Sequence, residues 1–364
     1  MTTTINGSSP SITFSDGSAQ TSATRPFQNR IINGAMTISQ RNGTSSVTAN
    51  DGTFSLDRYK FETSQSSKLT TQQDAGGVTP PAGFSDYLGI TSSSAYSITS
   101  TDYFGLYQNI EGFNIADLNW GTANAKTVTL SFWVRSSLTG TFGGSLRNNN
   151  ADRSYPYSYT ISAANTWEQK SVTIAGDTSG TWEVTNGIGI GVGFGLGVGS
   201  TYSATAGAWV SANRSSATGA TSVVGTNGAT FYITGVQLEV GSTATSFDYR
   251  PFETELALCQ RYFQRRQLGF NGVAGTAAIL YAQGTLPVAM RANPAYSATG
   301  AITITDIFSQ DHTQSSTQIQ VWQSISSDVP VTVAAVSMGN FSGLTQGRAY
   351  FLTPSQSIFL SSEL

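Results

Sequence analysis

Charge is the scarcest commodity in this sequence: Asp, Glu, Lys and Arg make up 11% of its 364 residues, against roughly 25% in ordinary soluble domains. With 18 basic and 21 acidic side chains and a net charge of -3, no positive field is available to hold a phosphate backbone or an anionic lipid surface, which argues against nucleic-acid partners. A single cysteine, Cys259, excludes an intrachain disulfide framework. A single histidine, His312, leaves no second imidazole for a His-rich zinc site or a proton relay. No apolar run approaches the roughly 18 residues of a membrane-spanning helix, so no membrane insertion is expected. The opening MTTTINGSSP lacks the charged and apolar regions of a secretory signal, so a soluble product made in a cytoplasm is expected, with no cofactor and no metal. What is present is 38% hydrophobic and 11% aromatic residues, enough for a sizeable core, amid Ser, Thr, Gly and Asn that make a mostly neutral surface.

The pattern along the chain predicts an all-β protein. Residues 1–25 are Ser/Thr-rich, with one alternating strand around Ile12 and Phe14 that ends in the Asp16-Gly17 turn. Too small to fold alone, this segment reads as a tether ordered by a partner. Residues 26–250 show short alternating runs broken by Gly, Asn, Ser and Thr: 103–109, 127–135, 154–161, 169–174, 187–198 and 229–240, with Asn29–Gly43 and Phe54–Phe61 also reading as strands. Repeated strands without helical patterns between them indicate an antiparallel sandwich, with a jelly roll preferred. A connecting helix is expected over 251–268, where Phe252, Leu256, Cys259 and Phe263 recur at helical spacing, Glu253 and Glu255 open the first turn and Arg261, Arg265 and Arg266 close it. Strands resume over 269–364 as a smaller C-terminal β domain.

From Gly187 to Gly199 every second residue is glycine, so one face of that strand carries no side chains. Close packing within the sheet or against a neighbouring subunit is the preferred reading, a ligand groove the alternative.

The string from Phe231 to Thr245, FYITGVQLEVGSTAT, followed by Phe247-Asp248-Tyr249-Arg250-Pro251 and by Glu255 to Phe263, resembles the closing strand and exit helix of bacteriophage tail-fibre and related virion proteins. Asn33-Gly34, Gln40-Arg41 and Leu56-Asp57-Arg58-Tyr59 resemble the opening of the same family, so the likeness covers roughly residues 26–266. The intervening sandwich is similar to jelly-roll carbohydrate-binding modules, in the style of Leu130 to Arg135 and Trp167. The leader around Ile12, Phe14, Asp16 and Gly17 looks like short fibre segments that attach to the virion. The resemblance implies a structural virion protein, commonly a homotrimer, whose N-terminus meets other virion proteins and which contributes to host-surface glycan adhesion. The alternatives are a capsid decoration or head-fibre protein without host binding, and a polysaccharide-degrading spike. A neutral, hydroxyl- and amide-rich exterior suits such a particle, because its contacts change little with salt.

Sugars are held by aromatic platforms flanked by planar polar groups. Tyr155, Tyr157 and Tyr159 alternate beside Asn148, Asn149 and Asn150, and Pro156 confines their segment to an edge or loop, where it would be exposed. Trp133 and Arg135 share the polar face of their strand, and Trp209 lies in a small-residue loop. These six are the candidate glycan-binding residues, weighed against core or subunit packing, while Trp120, Trp167, Trp182 and Trp322 read as structural. Polysaccharide cleavage needs two carboxylates roughly 5 to 10 Å apart, and nothing selects a pair among the scattered Asp74, Asp86, Asp102, Asp117 and Asp152. No enzymatic activity is therefore expected. His312 reads as solvated, and Asp57-Arg58 as a local ion pair fixing the first strand.

Overall fold

The computed structural model describes in full residues 28–266, 271–298, 302–306, 308, 311–313, 336–352 and 357–364, and the backbone alone of strand residues 4–6, 11–13, 19–20, 319–321 and 331–335. The attachment residues Phe14, Asp16 and Gly17 lie outside the described residues, as does Trp322. Ile12 is described by its backbone, in a three-stranded antiparallel sheet where it faces Ile5.

The larger part is a jelly-roll β-sandwich. Its strands are β1 (Val47–Thr48), β2 (Lys60–Thr63), β3 (Leu69–Gln73), β4 (Leu88–Ser92), β5 (Tyr103–Glu111), β6 (Val128–Ser136), β7 (Gly140–Arg147), β8 (Ser154–Ile161), β9 (Glu168–Ile174), β10 (Ile188–Val198) and β11 (Thr230–Val240). A five-stranded sheet runs β8-β7-β10-β5-β2, and a six-stranded sheet runs β9-β6-β11-β4-β3-β1, with antiparallel pairings throughout. Alternation does the work: Val128, Leu130, Phe132 and Val134 turn one face of β6 inward, against Phe194 and Leu196 of β10.

The connecting helix is shorter than its sequence pattern suggests. Helix α1 spans Phe252–Gln260, and Phe263–Arg266, expected within it, is strand β12. Just past the helix the side chains anchor on Glu111: Arg261 bonds it at 2.6 and 2.9 Å and the Tyr262 hydroxyl donates to it at 2.7 Å. The remaining strands are β13 (Asn271–Ala274), β14 (Leu280–Met290), β15 (Ala295–Ala298), β16 (Thr303–Asp306), β17 (Asp311–Thr313), β18 (Ile319–Val321), β19 (Val331–Met338), β20 (Ala349–Leu352) and β21 (Ile358–Ser361). They make a three-stranded sheet, β12-β21-β15, and a seven-stranded sheet, β17-β16-β20-β13-β14-β19-β18, around a separate hydrophobic cluster that includes Leu280, Met290, Ile304, Met338 and Tyr350.

Two segments expected as strands are irregular. Asn29–Gly43 forms bends and turns, and 54–59 pairs only through a bridge between Phe54 and Lys60. Asn33, Met36 and Arg58 have φ of 59°, 61° and 74°, left-handed conformations that no strand tolerates. Their backbone is spent on a buried polar joint instead. The Asn33 side chain donates to the carbonyls of Ile38 and Asp57 at 2.8 and 3.1 Å, and its N–H is taken by Glu255 of α1. Asp57 and Arg58 do not pair with each other as expected. Asp57 accepts from the Gln40 N–H at 3.0 Å, while Arg58 reaches Glu363, which also binds Arg41 at 3.0 Å. Arg58 and Arg41 lie 3.5 Å over the rings of Tyr262 and Phe263.

Removing one partner of a buried ion pair leaves the other charge uncompensated, a loss of about 3 kcal/mol. Glu363→Gln is therefore expected to lower stability by that order in urea unfolding, with hydrogen exchange accelerating first in β12 and β21. Burial raises the Asp57 carboxyl from 3.8 to about 6, with Arg41 opposing. The folded state thus binds the proton more tightly than the unfolded one, and stability falls as pH rises from about 4 to 6. Between pH 7 and 5 the wild type should gain about 1 kcal/mol relative to Asp57→Asn, a difference that paired thermal melts at the two pH values would measure.

Candidate functional site

The glycine stripe is filled by this chain itself. A Cβ added at Gly193 would sit 2.0 Å from the Tyr107 ring, at Gly195 2.7 Å from the Ser216 hydroxyl, and at Gly189 2.5 Å from Ile115. Close packing within the sheet is the observed use, and no bare groove runs along β10. What the stripe achieves is to lay the buried Tyr107 flat on the sheet as a floor. The guanidinium of Arg147, from the end of β7, lies 4.3 Å over that ring.

Beside this guanidinium opens a cavity of about 300 Å³ lined by Asp51, Lys60, Glu62, Tyr103, Arg147, Tyr202, Asn213 and Ser215, at the small end of ligand pockets. Alternation on β2 puts Lys60 and Glu62 on its outer face, and Tyr103 opens β5. Asp102 fixes Tyr103 from behind, accepting from the Thr99 N–H at 2.7 Å, the Thr99 hydroxyl at 2.8 Å, Ser64 at 2.8 Å and Tyr96 at 3.0 Å. Burial alone would raise its carboxyl, but these bonds outweigh it and lower the group to about 2. Tyr202, from the short 3-10 turn Ser200–Tyr202, meets Tyr103 edge-on at 5.2 Å between ring centroids. Arg147 binds Glu62 at 2.6 Å and the Asn213 side-chain oxygen at 3.2 Å, and Lys60 stands 3.8 Å from Glu62. Two acids and two bases make the pocket charge-balanced, with half-buried aromatic edges beside fixed planar donors and acceptors.

The six residues expected to bind glycan fall in two separate places. Tyr155, Tyr157 and Tyr159 are buried, which corrects the expectation that Pro156 exposes them. Pro156 does lie on an edge strand, β8, but the register with β7 aligns the tyrosines with Phe142, Gly144 and Leu146 on the core face. Gly144 makes room for Tyr157, whose hydroxyl donates to the Gly193 carbonyl at 2.8 Å. Tyr159 packs edge-on to Phe132 at 4.9 Å. Trp209 is likewise structural in its contacts: it packs edge-on against Trp120, Trp182 and Tyr155 at 5.3 to 5.4 Å, and its indole N–H donates to the Ala175 carbonyl at 2.7 Å. Trp133 and Arg135 are half-buried on the outer face of the other sheet, where Arg135 donates to the Asn165 carbonyl at 3.0 Å. Asn148 is buried and bonds Asp152 at 2.6 Å. His312 is half-buried rather than solvated, its Nδ1 3.0 Å from the Ser342 carbonyl.

Tyr103, Tyr202, Arg147, Lys60, Glu62 and Asn213 were not singled out by sequence reasoning. They come from distant segments, and the one available signal was that Lys60 and Glu62 share the polar face of a strand.

No protein-family model and no curated protein matches the chain. Solved structures with some likeness include the enzymatically active domain of bacteriophage CBA120 tailspike protein 4, at 13% identity and a TM-score of 0.34, covering 60% of this chain and 22% of that one. A family 11 carbohydrate-binding module of a Clostridium thermocellum cellulase matches at 14% identity and a TM-score of 0.27, covering 57% of this chain and 99% of the module. The module TmCBM61, solved with β-1,4-galactotriose, matches at 10% identity and a TM-score of 0.30, covering 60% of this chain and 100% of the module.

Gly193→Ala forces Tyr107 off the sheet and should cost about 1 to 3 kcal/mol by overpacking. Denaturant unfolding measures that loss, and an unchanged midpoint would contradict the contact.

Proposed function

We propose that this chain is a non-catalytic, glycan-binding exterior protein of a bacteriophage particle, a tail fibre assembled as a homotrimer and held to other virion proteins by residues 1–25. The virion, fibre and trimer parts of this reading are supported by the motif likeness at both ends of the sandwich. The glycan part is carried by one observation: a charge-balanced pocket in which Tyr103 and Tyr202 stand beside the fixed groups of Arg147, Glu62 and Asn213. Ring edges and faces cover the C–H surface of a sugar, and planar amide and guanidinium groups satisfy its hydroxyls. With Glu62 already held by Arg147 and Lys60, the pocket favours a neutral sugar chain over an acidic one and leaves that carboxylate poorly placed as a free catalytic acid.

A host-surface glycan array with purified protein should give neutral ligands. By calorimetry, Tyr202→Ala and Asn213→Ala are then expected to weaken the best of them at least tenfold, while Tyr157→Phe in the core leaves affinity unchanged. Blank arrays together with absent host-cell adsorption would refute the adhesion reading, and release of reducing ends from host polysaccharide would refute the non-catalytic one.

A further inference from the structure

We propose that Asp51 is the specificity-determining residue of the pocket, accepting hydrogen bonds from two hydroxyls on neighbouring carbons of one sugar ring; this deepens the glycan reading and rests on it. The residue is placed by its own turn. The Thr53 N–H donates to the Asn50 carbonyl at 3.0 Å, Gly52 takes a φ of 75°, and the turn pairs with Phe61 through the Gly52 N–H at 2.9 Å and the Thr53 carbonyl at 2.8 Å. Asn-Asp-Gly-Thr suits such a turn, since glycine enters the left-handed region at little cost. The turn is thereby held against the edge strand β2, whose last residue, Thr63, donates its N–H to Asp51 Oδ1 at 3.1 Å. The second oxygen, Oδ2, has no partner among the described residues, and the side chain is exposed, so a ligand can reach it.

This sets Asp51 apart from Glu62, the other carboxylate that lines the cavity. Glu62 Oε2 binds Arg147 at 2.6 Å and its Oε1 stands 3.8 Å from Lys60, so both of its oxygens already face a cation. Asn213 is fixed in a complementary sense: its Oδ1 accepts from Arg147 at 3.2 Å, which leaves the amide nitrogen, a donor, at the unengaged end. The Tyr103 and Tyr202 hydroxyls make no hydrogen bond among the described residues. Burial raises the Tyr103 hydroxyl above its ordinary range and the Asp51 charge adds to that, so the phenol stays a donor. One acceptor-only oxygen and three donors therefore converge on a single cavity.

That complement selects the ligand chemistry. A carboxylate oxygen accepts and never donates, so Asp51 takes an O–H or an N–H and repels a ligand carboxylate or phosphate. An ammonium group would also satisfy it, but Lys60 and Arg147 line the same cavity and repel a cation. A neutral diol fits both constraints, with its hydroxyl hydrogens on Asp51 and its oxygens accepting from Asn213 and the tyrosines.

Saturation-transfer NMR titrations of the full chain test this with the methyl glycosides of glucose, galactose and mannose, each beside its monodeoxy analogues. The wild type should bind at least one parent and bind two of its analogues, those lacking adjacent hydroxyls, about tenfold more weakly. Asp51→Asn keeps an oxygen for the Thr63 N–H but presents an amide donor in place of Oδ2. It should melt at the wild-type temperature, bind the parent about tenfold more weakly, and no longer distinguish the parent from those two analogues. Asp51→Ala, with no polar group at that position, should lose the same discrimination. An asparagine variant that binds like the wild type, or one weakened equally toward parent and analogues, overturns the assignment and leaves the sugar reading standing. Tighter binding of methyl glucosaminide, whose amine is protonated, than of methyl glucoside also overturns it, making Asp51 an ammonium site. A wild type that binds none of the parents at high millimolar concentration refutes the sugar reading itself, and this assignment with it.

Discussion

Glu363, seated between the guanidinium groups of Arg41 and Arg58, joins the far end of the described chain to its opening segment. Around it the same joint gathers Arg261 on Glu111 and Arg250 on Glu255 at 3.2 Å, and the Asn109 side chain donates to the Leu364 carbonyl at 3.1 Å. Burial disfavours the ionised Glu111, but hydrogen bonds from Arg261 and Tyr262 outweigh it and hold the carboxyl below its ordinary range. A charge this deeply buried has no alternative partner, so the pairing acts less as a source of net stability than as a device that fixes which segments meet. Arg41 and Arg58 come from the opening of the sandwich and Arg250, Glu255 and Arg261 from its exit, so these residues fasten the sandwich at both ends.

The joint and the candidate pocket share strand β5 and the entry to β2. Arg58 stands two residues before Lys60, and Tyr103 and Tyr107 share β5 with Asn109 and Glu111. At roughly 3.3 Å per residue along a strand, Tyr107, beneath the pocket's Arg147, lies about 13 Å along β5 from Glu111, which holds Arg261. Tyr107 makes the connection tightest: pinned on Gly193 from below and capped by Arg147 from above, it cannot move without moving the guanidinium that binds Glu62.

What was legible in the sequence follows from these constraints. Strands such as Ser154–Ile161 and Ile188–Val198 were read nearly to the residue because period-two alternation and β-branched content agree there. Asn29–Gly43 defeated the same reasoning because its backbone N–H groups at Ile32, Asn33 and Gln40 donate to the side chains of Gln108, Glu255 and Asp57, distant in sequence, which override local pattern. The tyrosines of β8 misled for a related reason. Pro156 correctly marks an edge strand, but an edge strand still presents one face to the core, and only the register against Phe142 and Leu146 tells which face. The pocket was illegible because its aromatic and charged groups come from turns and strand ends that meet only after the sandwich closes.

Scarcity of charge therefore has a structural meaning beyond the classes of function it disfavours. Among the described residues, ion pairs hold both the joint and the pocket: Arg58 with Glu363, Arg261 with Glu111, and Arg147 with Glu62. Others stand apart from both, such as Arg153 with Asp177 at 2.6 Å and Arg348 with Asp306 at 2.8 Å. Where a surface is otherwise neutral, a fixed and mutually compensated set of charges creates short-range directionality without a long-range field. Such a pocket gains little from steering and depends on contact geometry.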